Sequence, residues 1–204
     1  ESGELIGDPK PITHAVKFFE KGDKPLEIIS TRQWYITNGA RDEALRSRLV
    51  DAGKEIVFTP DHMRVRYENW VGGLTGDWLI SRQRFFGVPI PVWYELDENG
   101  EKGAVIVPTE DALPIDPSSD VPAGYTEADR GTRFVGELDI MDTWATSSLT
   151  PQIAGGWVTD PELFDLVFPY SLRSQGQDII RTWLFSTVLR LDPDGYHLVT
   201  PVEK

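Results

Sequence analysis

Between residues 42 and 50 the apolar positions Ala44, Leu45 and Leu49 fall at helical spacing with charged residues around them, and Gly53 stands where a C-terminal cap belongs. This pattern predicts a short amphipathic helix. A second helix is predicted over about 61–71, with Met63, Tyr67 and Trp70 on one face and Gly72-Gly73 ending it. Upstream, the apolar runs 15–19 and 26–29 flank the turn-forming stretch 21–25 and predict two strands. From Val88 the chain reads as extended, with Pro89 and Pro91 limiting its pairing. Asn99-Gly100 then separates Tyr94-Glu95-Leu96 from Ala104-Val105-Ile106-Val107, which predicts a β-hairpin with positive φ at both central residues of its turn. Residues 108–133, rich in Pro, Asp, Ser and Gly, read as an ordered loop. Beyond it lie an apolar turn at Asp139-Ile140-Met141, a helix over about 144–149 and a strand at Leu166-Val167-Phe168. Ser174-Gln175-Gly176-Gln177-Asp178 ends an extended run and opens a helix apolar on nearly all sides, through Ile179, Ile180, Trp183, Leu184, Phe185, Val188 and Leu189. A strand, a glycine turn and a buried helix make a dinucleotide-type unit, whose ligand lies at the carboxyl end of the strand, and the fold class predicted is α/β.

At 204 residues the chain is long enough for one domain with a buried core, or for one domain and a smaller excursion. Its net charge of −13 is not spread evenly. Residues 1–90 carry 13 basic and 13 acidic side chains and residues 171–204 carry 4 and 4, whereas residues 91–170 carry 3 and 16. The acidic middle stretch is therefore expected to be a solvated surface excursion that faces away from phosphate. There is no cysteine, which excludes disulfides and thiolate-bound zinc, and His14, His62 and His197 are the only imidazoles. No apolar run reaches membrane-spanning length, so no membrane partner is expected. The first residues, Glu1-Ser2-Gly3, are neither a signal peptide nor an initiator methionine, and the chain reads as cut from something longer.

Three places have residues suited to chemistry, each with a plainer explanation beside it. Gly176-x-Asp178 at a helix start would let a flat ligand approach the backbone while the carboxylate accepts from both ribose hydroxyls; it is also what an ordinary helix start with an acid near the dipole looks like. Ser81-Arg82-Gln83-Arg84, with aromatics at Trp78, Phe85 and Phe86, suits a single-stranded RNA end met by charge and stacking, or a surface turn whose arginines satisfy acids elsewhere. Trp144 beside Ala145, Thr146, Ser147 and Ser148 is either a wall for a compact apolar ligand or plain core. No nucleophile and base pair, metal cluster or phosphate-cradling lysine loop is evident.

Together, the stretch 14–27, Thr31-Arg32-Gln33-Trp34-Tyr35, Trp78-Leu79-Ile80-Ser81-Arg82-Gln83, Pro89-Ile90-Pro91-Val92-Trp93-Tyr94, Met141-Asp142-Thr143-Trp144 and Gly176-Gln177-Asp178-Ile179-Ile180 resemble, in order and spacing, the valyl-tRNA synthetase family of class I aminoacyl-tRNA synthetases, its actinobacterial branch above all. The resemblance implies that residues 1–30 are strands returning from an inserted editing domain. Residues 31–204 would be the second half of a Rossmann-type catalytic domain, with an acidic hairpin and loop insertion at about 92–135. It implies that Gly176, Gln177 and Asp178 bind ATP, that Trp144 and Ile179 wall the amino acid, and that Ser81, Arg82, Gln83 and Arg84 lie near the tRNA end. Valine, ATP with Mg²⁺ and tRNA(Val) are the implied substrates and partners of a monomeric cytoplasmic parent enzyme, with no zinc; isoleucyl- or leucyl-tRNA synthetase and a non-catalytic RNA-binding derivative are the alternatives. The chain departs from the family in three ways. It lacks the His-Ile-Gly-His type motif, it carries residues 191–198 where a Lys-Met-Ser-Lys-Ser type loop belongs, and Gln177 stands where His is expected. With neither phosphate-handling motif, this piece alone is expected to be inactive.

Overall fold

The computed structural model describes residue 8 and residues 10–27, 29–192 and 198–203, the last stretch as backbone. The chain termini, Ile28 of the second strand predicted near the N-terminus, and residues 193–197 of the segment that departs from the family lie outside the described residues. Two compact units form, one of residues up to Arg32 together with Glu203 and one of Gln33–Val202. In the first, the turn at 21–23 is present, closed by Leu26 N–H donating to Lys17 O (2.8 Å) and Phe19 N–H to Lys24 O (3.0 Å). Among the described residues the two predicted strands are reduced to a single bridge between Phe18 and Pro25. Val16, Phe18, Phe19 and Leu26 remain about half exposed, so no buried face fixes a longer ladder.

The second unit is built on a helix pair. Asp42 caps helix α1 (Glu43–Glu55) by accepting from Leu45 N–H at 3.0 Å, and Leu45 and Leu49 are buried. The helix runs past Gly53, which is not its cap but a packing position: a Cβ there would stand 2.5 Å from the ring of Tyr67. Helix α2 (Met63–Gly72) buries Tyr67 and Val71, whereas Trp70 is 37% exposed and turns its ring edge-on to Phe185 at 6.3 Å. The predicted face was thus one residue off, since Val71 and not Trp70 follows Tyr67 at i+4. The Tyr67 hydroxyl donates to Leu49 O at 2.9 Å across the pair. Tyr67→Phe is expected to cost about 1 kcal/mol, read as the urea midpoint; no loss would show that the bond is replaced by water.

Strand β1 (Arg32–Ile36) pairs antiparallel with β2 (Trp78–Leu79) and has β8 (Leu198–Glu203) on its other side. After Ile80 the chain enters β3 (Ser81–Arg82), antiparallel to β7 (Ile140–Met141) with Arg82 opposite Ile140. The predicted hairpin forms from β4 (Trp93–Leu96) and β5 (Lys102–Ile106). Its turn closes between Asp97 and Gly100, so Glu98 and Asn99 are the central pair and Gly100 follows at φ 79°. The Asp97 carboxylate accepts from the N–H groups of Asn99 and Glu101, which shifts the turn by one residue from the expected frame.

A third strand, β6 (Phe134–Gly136), lies on the other side of β4 and was not anticipated in the sequence. Residues alternate across this sheet: Tyr94 and Val135 face the main core, while Trp93 and Phe134 bury under the 108–133 loop with Pro117 and Pro122. The loop is ordered as expected, with 3₁₀ turns at Glu110–Ala112 and Glu127–Asp129. The Arg130 guanidinium ties it down by donating to Pro117 O, Ser119 O and Asp120 O.

Beyond β7, α3 (Thr143–Ser147) and α4 (Thr150–Ala154) occupy the predicted helical region. Leu166-Val167-Phe168 is not a strand. It closes α5 (Pro161–Val167), which Asp160 caps by accepting from Leu163 N–H at 3.0 Å, with Pro161 in the first turn and Phe164 stacked on Phe168 at 4.7 Å. Nor does a strand end at Ser174 among the described residues, so the strand–glycine turn–helix unit is not formed there. The last helix opens as a 3₁₀ turn (Gln177–Ile179), passes through a π segment (Ile180–Leu184) and ends as α6 (Phe185–Leu191). Ile180, Leu184, Phe185 and Leu189 are buried in the core with Leu45, Leu49, Tyr67 and Val71. The result is a mixed α/β fold whose β1–β2, β3–β7, β4–β5 and β4–β6 pairings are antiparallel.

Candidate functional site

The β3–β7 ladder places Asp142 at the entry to α3. Its N–H donates to Ile80 O at 2.7 Å, one carboxylate oxygen accepts from Trp144 N–H at 2.9 Å, and the other accepts from the Arg82 guanidinium. Asp142 is buried, and Arg82 is held further by donating to Leu79 O (2.7 Å) and Ser81 O (2.9 Å). One carboxylate thus sets both the start of the helix that carries Trp144 and the direction of a cation. The far side of α3 is fixed to the last helix: Trp183 Nε1 donates to Ser147 O at 2.8 Å and Arg190 donates to Ser148 Oγ and Ala145 O. Arg173 lies over the Trp183 ring at 3.9 Å, and burial pushes its pKa down to about 10, so it stays charged at neutral pH.

These elements enclose a cavity of about 560 Å³. Trp70, Trp78, Trp144 and Phe185 give it aromatic walls, and Asp77, Arg82, Asp142 and Arg181 give it polar ones. That is the makeup of a small-molecule site, apolar with a few placed charges. A second cavity of about 360 Å³ is lined by Arg66, Asn69, Gln177 and Asp178 and shares Trp70 and Arg181 with the first. The expected nucleotide residues Gln177 and Asp178 therefore stand beside the cavity that holds Trp144.

Gly176 has φ −70° and open space where a Cβ would project, so neither its backbone nor its surroundings demand glycine. Ile179 is half-buried and lines neither cavity. Ser81 is buried: its Oγ accepts from Trp34 N–H (2.9 Å) and donates to Gln33 Oε1 (2.8 Å), a role in joining β1 to β3. Gln83 is exposed and donates to Gln33 Oε1 (3.1 Å) and Asp139 Oδ2 (2.9 Å). Arg84 is exposed and, with Arg82, lines a groove of about 470 Å³ along β7 and α3.

Two residues that matter here escaped sequence reading. Asp142 had a signal, an Asp directly before a helix, that marks an N-cap. Glu137 had none: it is a buried carboxylate that accepts from Trp34 Nε1 (2.9 Å), Tyr94 OH, Leu138 N–H (2.7 Å) and Asp139 N–H (2.9 Å). Burial, then the bond to Glu137, raises the Tyr94 pKa, which keeps that hydroxyl protonated as a donor. Among the described residues no three His, Cys, Asp or Glu side chains converge on a metal position, and no helix is long and apolar enough to cross a membrane.

The chain belongs to the class I tRNA synthetases (I, L, M and V), whose family model matches residues 15–191. Among its curated relatives, it is 71% identical over 193 residues to the valine–tRNA ligase of Leifsonia xyli subsp. xyli, 67% identical over 194 to that of Thermobifida fusca and 59% identical over 194 to that of Cutibacterium acnes. Each match covers 93% of this chain and 22% of the relative, so the chain spans about a fifth of the length of these proteins.

Proposed function

We infer that the protein carrying this chain is a valine–tRNA ligase, which joins valine to the AMP part of ATP as valyl-adenylate with release of pyrophosphate and transfers the valyl group to tRNA(Val) with release of AMP. The observation that carries this reading is 71% identity to a valine–tRNA ligase across 93% of the chain. Adenylate formation is attack of the valine carboxylate on the ATP α-phosphate, which calls for positioning and charge stabilisation more than for a general base. Two adjoining cavities fit that need, one aromatic and one carrying Asp178. In this reading Asp178 accepts from the ribose hydroxyls, with Gly176 and Gln177 beside the nucleotide. Trp144 walls the valine side chain, with Ile179 as the second wall the resemblance implies, and Ser81, Arg82, Gln83 and Arg84 lie toward the tRNA end. Mg²⁺ would enter with ATP and would offset phosphate charge there. A zinc site of thiolates has no residues to form it, as the chain lacks cysteine.

Residues 31–204 would then form the second half of a Rossmann-type domain with the acidic hairpin and loop inserted at about 92–135, and residues 1–30 the return from an editing domain. The enzyme would be monomeric and cytoplasmic. The test is amino-acid-dependent ATP–pyrophosphate exchange on the whole protein with valine, isoleucine and leucine at equal concentration. Valine is expected to support the fastest exchange. Preference for either of the others would move the substrate within the class, and no exchange with any would reject the enzyme reading.

A further inference from the structure

We propose that Phe85 and Phe86 form a stacking platform for the unpaired 3′ end of tRNA, an inference that rests on the valine–tRNA ligase reading above. The two rings are 91% and 87% exposed, in edge-to-face contact with centroids 5.0 Å apart, so their faces lie almost wholly open. Two neighbouring aromatic rings left open to water beside a cation are the makeup of an interaction surface.

The loop that bears them is anchored at both ends. Arg82 pairs with Ile140, Pro89 bridges to the same residue, and Met141 N–H donates to Val88 O at 2.7 Å. Gly87 lies so close under Ile140 that a Cβ would stand 2.2 Å from the Ile140 side chain. The rings thus project from a tip of fixed geometry.

Charge selects the partner. Arg84 beside the rings is exposed, so it offers a cation to phosphate there. Of the acids nearest in the ladder, Asp142 is paired with Arg82, and Asp139 accepts from the Gln83 amide. From the tip, the groove lined by Phe86, Arg84 and Arg82 leads to Asp142 and Thr143, and Arg82 also lines the aromatic cavity. An unpaired strand stacked on the rings would meet the Arg84 cation at the tip and follow the groove to the Arg82–Asp142 pair at the edge of the aromatic cavity. Stacking on aromatic faces is how proteins hold single-stranded ends without reading sequence closely.

The experiment uses the whole protein with two double variants, F85L/F86L, which keeps apolar bulk but removes the ring faces, and F85Y/F86Y, which keeps them. Three readouts are taken: tRNA(Val) affinity by fluorescence anisotropy, KM for tRNA(Val) in charging, and valine-dependent pyrophosphate exchange. F85L/F86L is expected to weaken tRNA affinity and raise KM about tenfold, with exchange unchanged, and F85Y/F86Y to stay within about twofold of the parent. Equal tRNA affinity in the parent and F85L/F86L would overturn the platform, as would a parallel fall in exchange, which would mean the rings pack against another part of the protein. A parent that shows no exchange but loses tRNA affinity only in F85L/F86L would sink the valine reading and keep the platform.

Discussion

Replacing Glu137 with alanine is expected to cost roughly 3 kcal/mol of folding stability, seen as a lower urea midpoint at unchanged slope. The carboxylate accepts from four donors on three parts of the chain: Trp34 on β1, Tyr94 on β4 and the Leu138 and Asp139 amides leading to β7. Removing it leaves the buried Tyr94 hydroxyl without its acceptor and leaves Trp34 Nε1 only the Tyr94 oxygen at 3.0 Å, and each such loss costs about 1–3 kcal/mol before relaxation and water entry recover part. Glutamine is not expected to rescue, because its NH₂ must face one of the two donor pairs. The pH dependence supplies a second check. Burial alone would raise the pKa of Glu137, but the bonds from Asp139 N–H, Tyr94 and Trp34 outweigh it, and the pKa lies below the ordinary 4.5. The folded state therefore binds this proton less readily than the unfolded state. Its stabilising contribution is present above about pH 4.5 and lost as the pH falls through the lower folded value. Asp139, raised by burial and by the charge of Glu137, acts in the opposite sense, its effect lying upward from the ordinary 3.8. The gap between parent and Glu137→Ala should thus narrow on acidification; a gap that stays constant from pH 7 to pH 3 would mean that folding leaves the Glu137 pKa unshifted, and one that widens would mean that it is raised.

The contrast between Asp142 and Glu137 shows where sequence reading works. Local signals were legible: the spacing of Leu45 and Leu49, the Asn99-Gly100 turn and the glycine pair ending α2 all mark real elements. Boundaries moved where a tertiary contact decided them. Gly53 is a glycine because the ring of Tyr67 needs the space, and the helix continues through it. Leu166-Val167-Phe168 reads as a strand by composition, yet Asp160-Pro161-Glu162 upstream is a helix start, and the cap with its first turn won over β propensity. Strand β6 is only three residues long and owes its place to burial of Phe134 under a distant proline loop. The candidate site divides in the same way. The strings that carry Trp144, Arg82 and Asp178 were recognisable as residues in order, and the fold sets Trp144 and Arg82 on one cavity with Asp178 on its neighbour. The hidden part is the set of long-range polar ties, Arg82 to Asp142 and Trp34 to Glu137, which no periodicity encodes.

Asp142→Ala in the whole protein is expected to slow valine-dependent pyrophosphate exchange by about 100-fold or more, an effect larger than its cost in stability. The substitution removes the cap that starts α3, and with it the fixed position of Trp144, and it releases Arg82 from the edge of the cavity. A displacement near 1 Å of groups that position reactants commonly costs about that factor in rate. The stability loss should be about 2 kcal/mol, because Arg82 is partly exposed and water takes over some of its solvation. Asp142→Asn separates the two effects. Asparagine caps a helix about as well as aspartate, so Trp144 should stay in place while the ion pair is lost. If the cation's position is what matters for exchange, Asp142→Asn will fall nearly as far as Asp142→Ala. If the wall at Trp144 matters more, Asp142→Asn will retain most of the rate with its KM for valine near that of the parent, and Asp142→Ala will lose valine affinity. Exchange within twofold of the parent for both variants would show that neither the cap nor the ion pair positions a reactant, and the aromatic cavity would then not be the site of adenylate formation.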